Sequence, residues 1–247
     1  MDLGYFFFIV SGLRYNLLIA TSSFMIGFIL ALALILLDDT IVKTHGKITR
    51  IYSYILSGIP PLVIISIIYW VALPILGIRS NPLIAAIIAF SLRTSAFQAM
   101  ILKSTITSVD ERQAQAGLSI GLNIREVYTY LLIPQAVILC IPSLTNELAS
   151  LLKESTQALA IGVLDALARA RYVTIATGYN LLWLCLTGVI MYLLSYSLIF
   201  TSRYLQRRGI FPGTSRDLYA STNISKGSTA SKKDSSTYKK LLTGAIQ

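Results

Sequence analysis

The sequence predicts an all-α integral membrane protein with five transmembrane helices. Of its 247 residues, 55% are hydrophobic and only 13% are charged, whereas about a quarter of the residues in a typical soluble domain are charged. The hydrophobic residues form separate stretches of about 20 residues, the length that an α-helix needs to cross the hydrocarbon core. The predicted spans cover residues 13–37, 51–73, 82–102, 136–156 and 181–202.

The first span is expected to be a retained helix rather than a secretory signal. Its apolar run is too long, no basic region leads into it, and no small-residue cleavage site follows it. Residues 1–211 are predicted to form the membrane domain, and residues 212–247 a cytoplasmic tail rich in Ser, Thr and Lys. Such a composition buries too little apolar surface to fold, so we expect a disordered tail, whose basic residues suit anionic lipid headgroups.

Lysine and arginine are distributed unevenly between the predicted spans. An odd number of spans places the termini on opposite sides, and cytoplasmic segments carry the excess of Lys and Arg. The orientation that obeys this rule has the amino terminus outside and the carboxyl terminus in the cytoplasm. It leaves Arg14, Arg79, Arg169 and Arg171 outside and places the larger group inside: Lys43, Lys47, Arg50, Lys103, Arg112, Arg125, Arg203, Arg207 and Arg208.

Neither the net charge nor the reactive side chains indicate a nucleic acid partner, a metal site or an enzyme. The formal charge of +10 is spread over several short segments, which is not the pattern of a nucleic acid interface. Cys140 and Cys185 lie in apolar stretches, and His45 has no cysteine or carboxylate cluster around it. We expect no disulfide, no metal ligand and no catalytic residue, because neither a His/Asp cluster nor a Gly-x-Ser-x-Gly run is present.

The longest polar connection before the tail joins the third and fourth spans, at about residues 103–135. Small residues at positions 116 and 117 let a short helix press its backbone against a partner, and glycine at position 121 supplies a turn that other residues resist. The alternative is an amphipathic surface helix without a partner. The regularly spaced residues of the connection are Gln115, Ala116, Gly117, Gly121, Leu131, Ile133 and Pro134.

This spacing resembles the EAA loop of ABC importer permeases, whose pattern is Glu-Ala-Ala, three residues, Gly, nine residues, Ile, one residue, Leu-Pro. The resemblance implies a type I permease fold in which the connection is the coupling helix that docks on a cytoplasmic ATPase. Gln115 stands where the family commonly has glutamate, so a neutral hydrogen bond replaces a salt bridge there. A neutral bond contributes about 1 kcal/mol, against about 1.5–3 kcal/mol for a charged one.

The fourth span contains ionisable residues, which are costly at membrane depth and tend to face a cavity or a partner. Residues seven apart lie on nearly the same face of a helix, so Glu147 and Glu154 share a side, with Ser150 between them. Asn146 and Lys153 continue this polar side. These five residues are the predicted lining of a substrate path.

The same run resembles the Asn-Glu, five residues, Lys-Asp-Thr-Ser signature of polar amino acid permeases, with Glu154 at the aspartate position. Glu147 lies about 16 Å into the span at 1.5 Å per residue and is the first choice for a contact to an ammonium or cationic group of the solute. The alternative is that Glu147, Lys153 and Glu154 pair with each other or with Arg93 and only hold helices together. Arg93 stands where the family has Asn in a similar Ser-Leu-Asn-Ser-Gly-Ala-Tyr run.

The resemblance implies a permease subunit of an ATP-driven importer for polar amino acids in the plasma membrane. Two acidic groups on one face suit a cationic amino acid, although Arg93 and Lys153 are able to neutralise them. Competing interpretations are an importer permease for methionine, phosphonate or an inorganic anion, and a structural or receptor-like membrane protein.

The implied partners are a second permease subunit, identical or related, two cytoplasmic ATPase subunits, an extracytoplasmic solute-binding protein and the small polar solute. The chain has no Gly-x4-Gly-Lys-Ser/Thr run to cradle phosphates. ATP and Mg²⁺ are therefore expected on the ATPase subunits, and no cofactor is expected on this chain.

Overall fold

The computed structural model describes residues 3–38, 46–79, 81–109 and 111–208. None of the described residues lies in a strand, so this part of the chain is all-α, as the sequence predicts. The helices are α1 (Leu3–Val10), α2 (Leu13–Leu36), α3 (Lys47–Gly58), α4 (Pro61–Ile75), α5 (Pro82–Ile106), α6 (Glu111–Ser119), α7 (Ile124–Ile161), α8 (Ala166–Thr177) and α9 (Asn180–Arg207).

The chain divides by its contacts into two units, Met1–Arg203 and Tyr204–Gln247. All the candidate functional residues lie in the first unit. In the second, the described part is residues 204–208, where the guanidinium carbon of Arg208 lies 4.9 Å from the centre of the Tyr204 ring. The predictions made for His45 and for the tail, residues 212–247, lie outside the described residues.

Four helical stretches of the described chain are long and apolar enough to cross a membrane: Leu3–Leu36, which holds α1 and α2, then α5, α7, and Leu181–Gln206 of α9. Four of the five predicted spans correspond to these stretches. The fourth predicted span differs at its start, because α7 begins at Ile124. The last third of the connection predicted at residues 103–135 is therefore helix that continues into the span.

The second predicted span, residues 51–73, is two helices and not one. α3 ends at Gly58 and α4 begins at Pro61, with a bend of 97° between them. A proline ring pushes the preceding residue out of the helical region, and Ile59, which precedes Pro60, is accordingly extended, with φ −90° and ψ 129°. The bent pair is a fifth span only if both helices together cross the bilayer.

Two of the helices widen into a π-helical segment just before a proline. Residues Ile68–Ala72 of α4 precede Pro74, and Val127–Leu132 of α7 precede Pro134. A proline inside a helix has no N–H to donate, and its ring collides with the carbonyl group four residues earlier. The wider π turn gives that carbonyl room, so the helix continues past the proline.

α5 packs against α2 along a row of small residues. A Cβ atom built on Gly27 of α2 would lie 2.4 Å from the Cγ2 atom of Thr94 in α5, too close for any real contact. Small residues are what membrane helices use for close approach, since packing rather than water exclusion drives their association. The buried alanines of α5 are Ala85, Ala86, Ala89, Ala96 and Ala99.

The carboxyl-terminal end of α7 is tied to α2 and α8 by a buried polar network. The side-chain amide of Asn16 donates to Ser155 Oγ at 2.9 Å and to Asp165 Oδ2 at 3.0 Å, and its oxygen accepts from the Ala166 N–H at 3.1 Å. Asp165 also caps α8 by accepting from the Ala168 N–H at 2.8 Å. Burial raises the pKa of Asp165 above its ordinary value, although these donors act in the opposite direction.

The close approach at Gly27 generates a prediction for stability. Gly27→Ala places a methyl group against Thr94, and overpacking of this kind costs about 1–3 kcal/mol. We expect a lower midpoint of thermal unfolding in detergent micelles. Gly188→Ala in α9 is the matched control, because its added Cβ meets no atom of another helix within 4 Å. Equal midpoints for the two variants would contradict the contact.

Candidate functional site

Two ionisable residues of α7 contact α5 near the middle of α5. Thr94 Oγ1 donates a hydrogen bond to Glu147 Oε1 at 3.0 Å. The neighbouring Arg93 donates from Nη1 to Glu154 and forms an ion pair with it. Thr94 is the midpoint of the 25-residue helix α5, about 18 Å from either end at 1.5 Å per residue. Both contacts therefore start near the middle of α5, whereas on α7 Glu154 directly precedes the final 3-10 segment, Ser155–Ile161.

Arg93 is largely enclosed. Its side chain is 12% exposed and that of Glu154 is 24% exposed. The guanidinium carbon lies 4.7 Å from the centre of the Phe97 ring, within the range of a cation–π contact. The Nε atom of Arg93 is buried and has no hydrogen-bond partner. The guanidinium group thus lies between the Glu154 carboxylate and the ring of Phe97, which is one turn farther along α5.

The five predicted path residues lie on two adjoining faces of α7. Glu147 and Glu154 are half-buried and turned towards α5, whereas Asn146 and Lys153 are exposed. Ser150 is half-buried, four residues after Asn146. A step of one residue turns a helix by about 100°, which separates Asn146 from Glu147. The polar residues predicted to share one side of α7 are therefore spread over more than one face of the helix.

The two glutamates have different partners. Glu154 forms an ion pair with Arg93, one of the pairings that the alternative for this residue named. Glu147 has a neutral hydroxyl group as its hydrogen-bond donor, so this bond does not balance its charge. In the described chain, no group of three or more His, Cys, Asp or Glu side chains is placed to hold a metal ion.

Sequence reasoning missed the buried polar stripe on α5 that carries this site. Tyr52 of α3 donates to the Leu92 carbonyl at 3.2 Å, and its hydroxyl lies 2.7 Å from Ser95 Oγ. The signal was the helical spacing of polar residues within an otherwise apolar span. The stripe consists of Ser91, Thr94, Ser95 and Gln98, all at most 3% exposed.

The connection between α5 and α7 folds into a compact helix–turn–helix unit. Gly121 has φ +92°, a left-handed conformation that favours glycine, so the turn predicted there is present. Asn123 and Glu126 form a capping box at the start of α7, with bonds of 2.8 Å and 3.1 Å. Gly117 is buried, and a Cβ atom there would lie 2.8 Å from Leu131 Cδ1. The sequence predicts that the small residue at 117 contacts a partner. In the structure it instead allows close packing against Leu131 within the chain.

The opposite side of α6 is exposed. Gln115 lies opposite Gly117, Ala116 and Leu118 lie on the two flanks, and Ile120 follows the end of the helix; Leu118 is 47% and Ile120 80% exposed. Exposed apolar side chains grouped on a short helix are typical of an interaction surface. Pro134, the closing residue of the predicted pattern, is exposed and lies farther along, inside α7.

Comparison with known proteins identifies the family. Residues 24–215 match the family described as the inner membrane component of binding-protein-dependent transport systems. The chain belongs to this family. It is accordingly a multi-pass membrane protein and the membrane component of a transport system, whose ATP hydrolysis takes place on a partner subunit.

Relatives of this transport component carry names for amino acid transport. The arginine transport system permease protein ArtQ of Bacillus subtilis (strain 168) is 31% identical, over 81% of this chain and 92% of its own length. The putative glutamine transport system permease protein GlnP of Rickettsia conorii (strain ATCC VR-613 / Malish 7) is also 31% identical, over 83% of this chain and 94% of its own length.

Solved structures place the transport component in the same fold as other ABC transporters. A crystal structure of an amino acid ABC transporter with histidines has a TM-score of 0.73 and 26% identity, covering 83% of this chain and 96% of its own. An inward-facing MetNI methionine ABC transporter has a TM-score of 0.70 and covers 84% and 99% of the two chains. At 20% identity, the second likeness shows the fold alone.

The ion pair between α5 and α7 generates a second prediction. Arg93→Gln and Glu154→Gln should each lower the midpoint of thermal unfolding in detergent, because each leaves a poorly solvated charge without its partner. The double variant should be more stable than the sum of the two losses predicts, with a coupling of about 1–3 kcal/mol. Losses that simply add would show that the pair contributes nothing to holding the helices together.

Proposed function

We propose that this chain is the permease subunit of an ATP-driven importer of polar amino acids. The observation that carries the proposal is the Glu147 carboxylate, half-buried at the middle of the membrane helices with a neutral hydroxyl as its donor. An ionised carboxylate at that depth costs at least ~2.5 kcal/mol, a cost that the ammonium group of a solute offsets. The family and the names of the relatives support this class of solute.

In this proposal the two faces of α7 have different roles. Glu147 accepts from the ammonium group of the solute, while Asn146, Ser150 and Lys153 line the neighbouring side of the path and offer donors to its carboxylate. An exposed lysine on a membrane helix is unfavourable against lipid. The face that bears Asn146 and Lys153 therefore turns towards a water-filled path or the second permease subunit in the assembly. Glu154 is occupied by Arg93 and contributes to holding α5 and α7 together.

The exposed side of α6 is the proposed docking surface for the ATPase. Leu118 and Ile120 supply apolar contact area, and Gln115 supplies a neutral hydrogen bond where the resemblance would have led us to expect a charge. The turn at Gly121 and the capping box behind it hold this surface in place before any partner arrives. A surface that is already ordered loses less entropy on binding.

The complete assembly contains two permease subunits, identical or related, two ATPase subunits and a solute-binding protein that delivers the amino acid. The asymmetry of Lys and Arg supports an orientation with the amino terminus outside and α6 in the cytoplasm, on the side of the ATPase. In that orientation α8 and the ends of the helices around it face the solute-binding protein. ATP and Mg²⁺ belong to the ATPase subunits.

The proposed solute contact is tested by Glu147→Gln. Glutamine keeps an oxygen to accept from Thr94, so the fold is preserved, but its contact to an ammonium group loses the charge. A charged hydrogen bond exceeds a neutral one by about 1–2 kcal/mol, so we expect uptake to fall about tenfold. The measurement is ATP-dependent uptake of a radiolabelled amino acid panel into liposomes that hold the full complex.

The control for this experiment is Asp234→Asn, which neutralises a carboxylate in the tail and should leave uptake unchanged. Association of the ATPase is measured for both variants by co-purification and should equal that of wild type. If the wild-type complex assembles but takes up no amino acid, the proposed class of solute is wrong. Undiminished uptake by the Glu147 variant would remove Glu147 from the path.

The docking proposal is tested at the turn. Gly121→Val forces a β-branched residue into a left-handed conformation, which costs about 1–3 kcal/mol, so the exposed side of α6 should be displaced and the ATPase should bind several-fold more weakly. Gly121→Asn is the matched variant, because asparagine tolerates this conformation, and it should retain most of the binding. The affinity is measured with the permease in nanodiscs and purified ATPase. Wild-type affinity of the valine variant would refute the docking surface.

A further inference from the structure

The charged side chains of α5 within residues 82–102 and of α7 within residues 136–161 balance to zero charge. They are the cations Arg93 and Lys153 and the anions Glu147 and Glu154. The membrane helices packed around them add nothing, because residues 15–36, 61–75 and 181–202 contain no Asp, Glu, Lys or Arg. The parts of α5 and α7 that meet here therefore carry no net charge, and the buried Asp165 beyond Ser155 is already held by Asn16 and the Ala168 N–H.

The ion pair removes one of the two glutamates from the solute. Arg93 donates directly to Glu154, and the Phe97 ring lies against the guanidinium group, so Arg93 is fixed by two neighbours. Because the guanidinium group balances the charge of Glu154, a solute cation gains little from this carboxylate while the pair is closed. The acidic group left for the solute is Glu147, which has a neutral donor in Thr94. Lys153, which adjoins Glu154 in the sequence, is an exposed cation.

We infer that Arg93 is a specificity-determining residue, which makes the path select amino acids with uncharged side chains over arginine and lysine. The inference rests on the proposed function. A zwitterionic amino acid has one ammonium group for Glu147 and one carboxylate for Lys153, and it leaves the site neutral. The second cation of arginine or lysine finds no free carboxylate, and an uncompensated charge in a poorly solvated site is unfavourable.

Sequence similarity does not decide between the two kinds of solute. The relatives named for arginine transport and for glutamine transport are equally identical to this chain, at 31% each. The charge balance at the middle of α5 and α7 is a property of this chain's own residues. It therefore predicts a preference that the names of relatives leave open.

The test measures solute binding directly, because a solute-binding protein would impose its own preference on uptake. Radiolabelled glutamine and arginine are bound to the permease–ATPase complex in nanodiscs, for wild type, Arg93→Gln and the double variant Arg93→Gln/Glu154→Gln. Wild type should bind glutamine at least about tenfold more tightly than arginine. Arg93→Gln frees Glu154 and should shift this ratio about tenfold towards arginine. The double variant, again without net charge, should return to the wild-type ratio.

Several outcomes would overturn the inference. A wild-type complex that binds arginine more tightly than glutamine contradicts it, and this result does not depend on whether any variant folds. An unchanged ratio in Arg93→Gln contradicts the role of Arg93, while amino acid transport as such would stand. If the complex neither binds nor takes up any amino acid, the proposed function itself fails. Arg93→Lys, which keeps the charge, should retain the preference for glutamine.

Discussion

An ionised side chain at membrane depth must find its partner within the protein, and in this chain α5 supplies both partners of α7. Arg93 pairs with Glu154 and Thr94 donates to Glu147. These contacts need α5 to lie close to its neighbours, because threonine has a short side chain. The small side chains of α5 leave room for close neighbours, and Gly27 of α2 lies directly against Thr94, whose hydroxyl donates to Glu147. The contacts of the site therefore depend on the close helix packing that small residues allow.

The sequence predicted the class of fold and most of the spans, because long apolar runs are a strong local signal. It did not predict the break between α3 and α4. The evidence was present in Pro60 and Pro61. A proline barely lowers the mean hydropathy of an apolar run, but it disfavours a helical conformation in the preceding residue and so marks a helix boundary. The start of α7 was also missed, since Arg125, Glu126 and Pro134 interrupt the apolar pattern, although a π segment lets the helix continue past the proline.

For the site, the sequence predicted the residue types and left the partners open. The presence of Glu147 and Glu154 in one span already indicated a functional helix. Which of them is neutralised depends on how α7 is rotated against α5, and Arg93 and Glu154 are 61 residues apart in the chain. No local pattern fixes such a rotation. The same applies to Asn16, which joins α2 to α7 and α8 and looks in the sequence like a single polar residue in an apolar run.

The proposed solute contact and the proposed docking surface are joined by one helix. α7 starts at the capping box of Asn123, behind the turn at Gly121, and runs to Ile161 past Glu147. About 24 residues separate Asn123 from Glu147, or about 36 Å at 1.5 Å per residue. A displacement of α6 by an ATPase therefore acts on Glu147 through the backbone of α7. The π segment and Pro134 lie between the two sites, where a helix bends most readily, and the network around Ser155 anchors the far end.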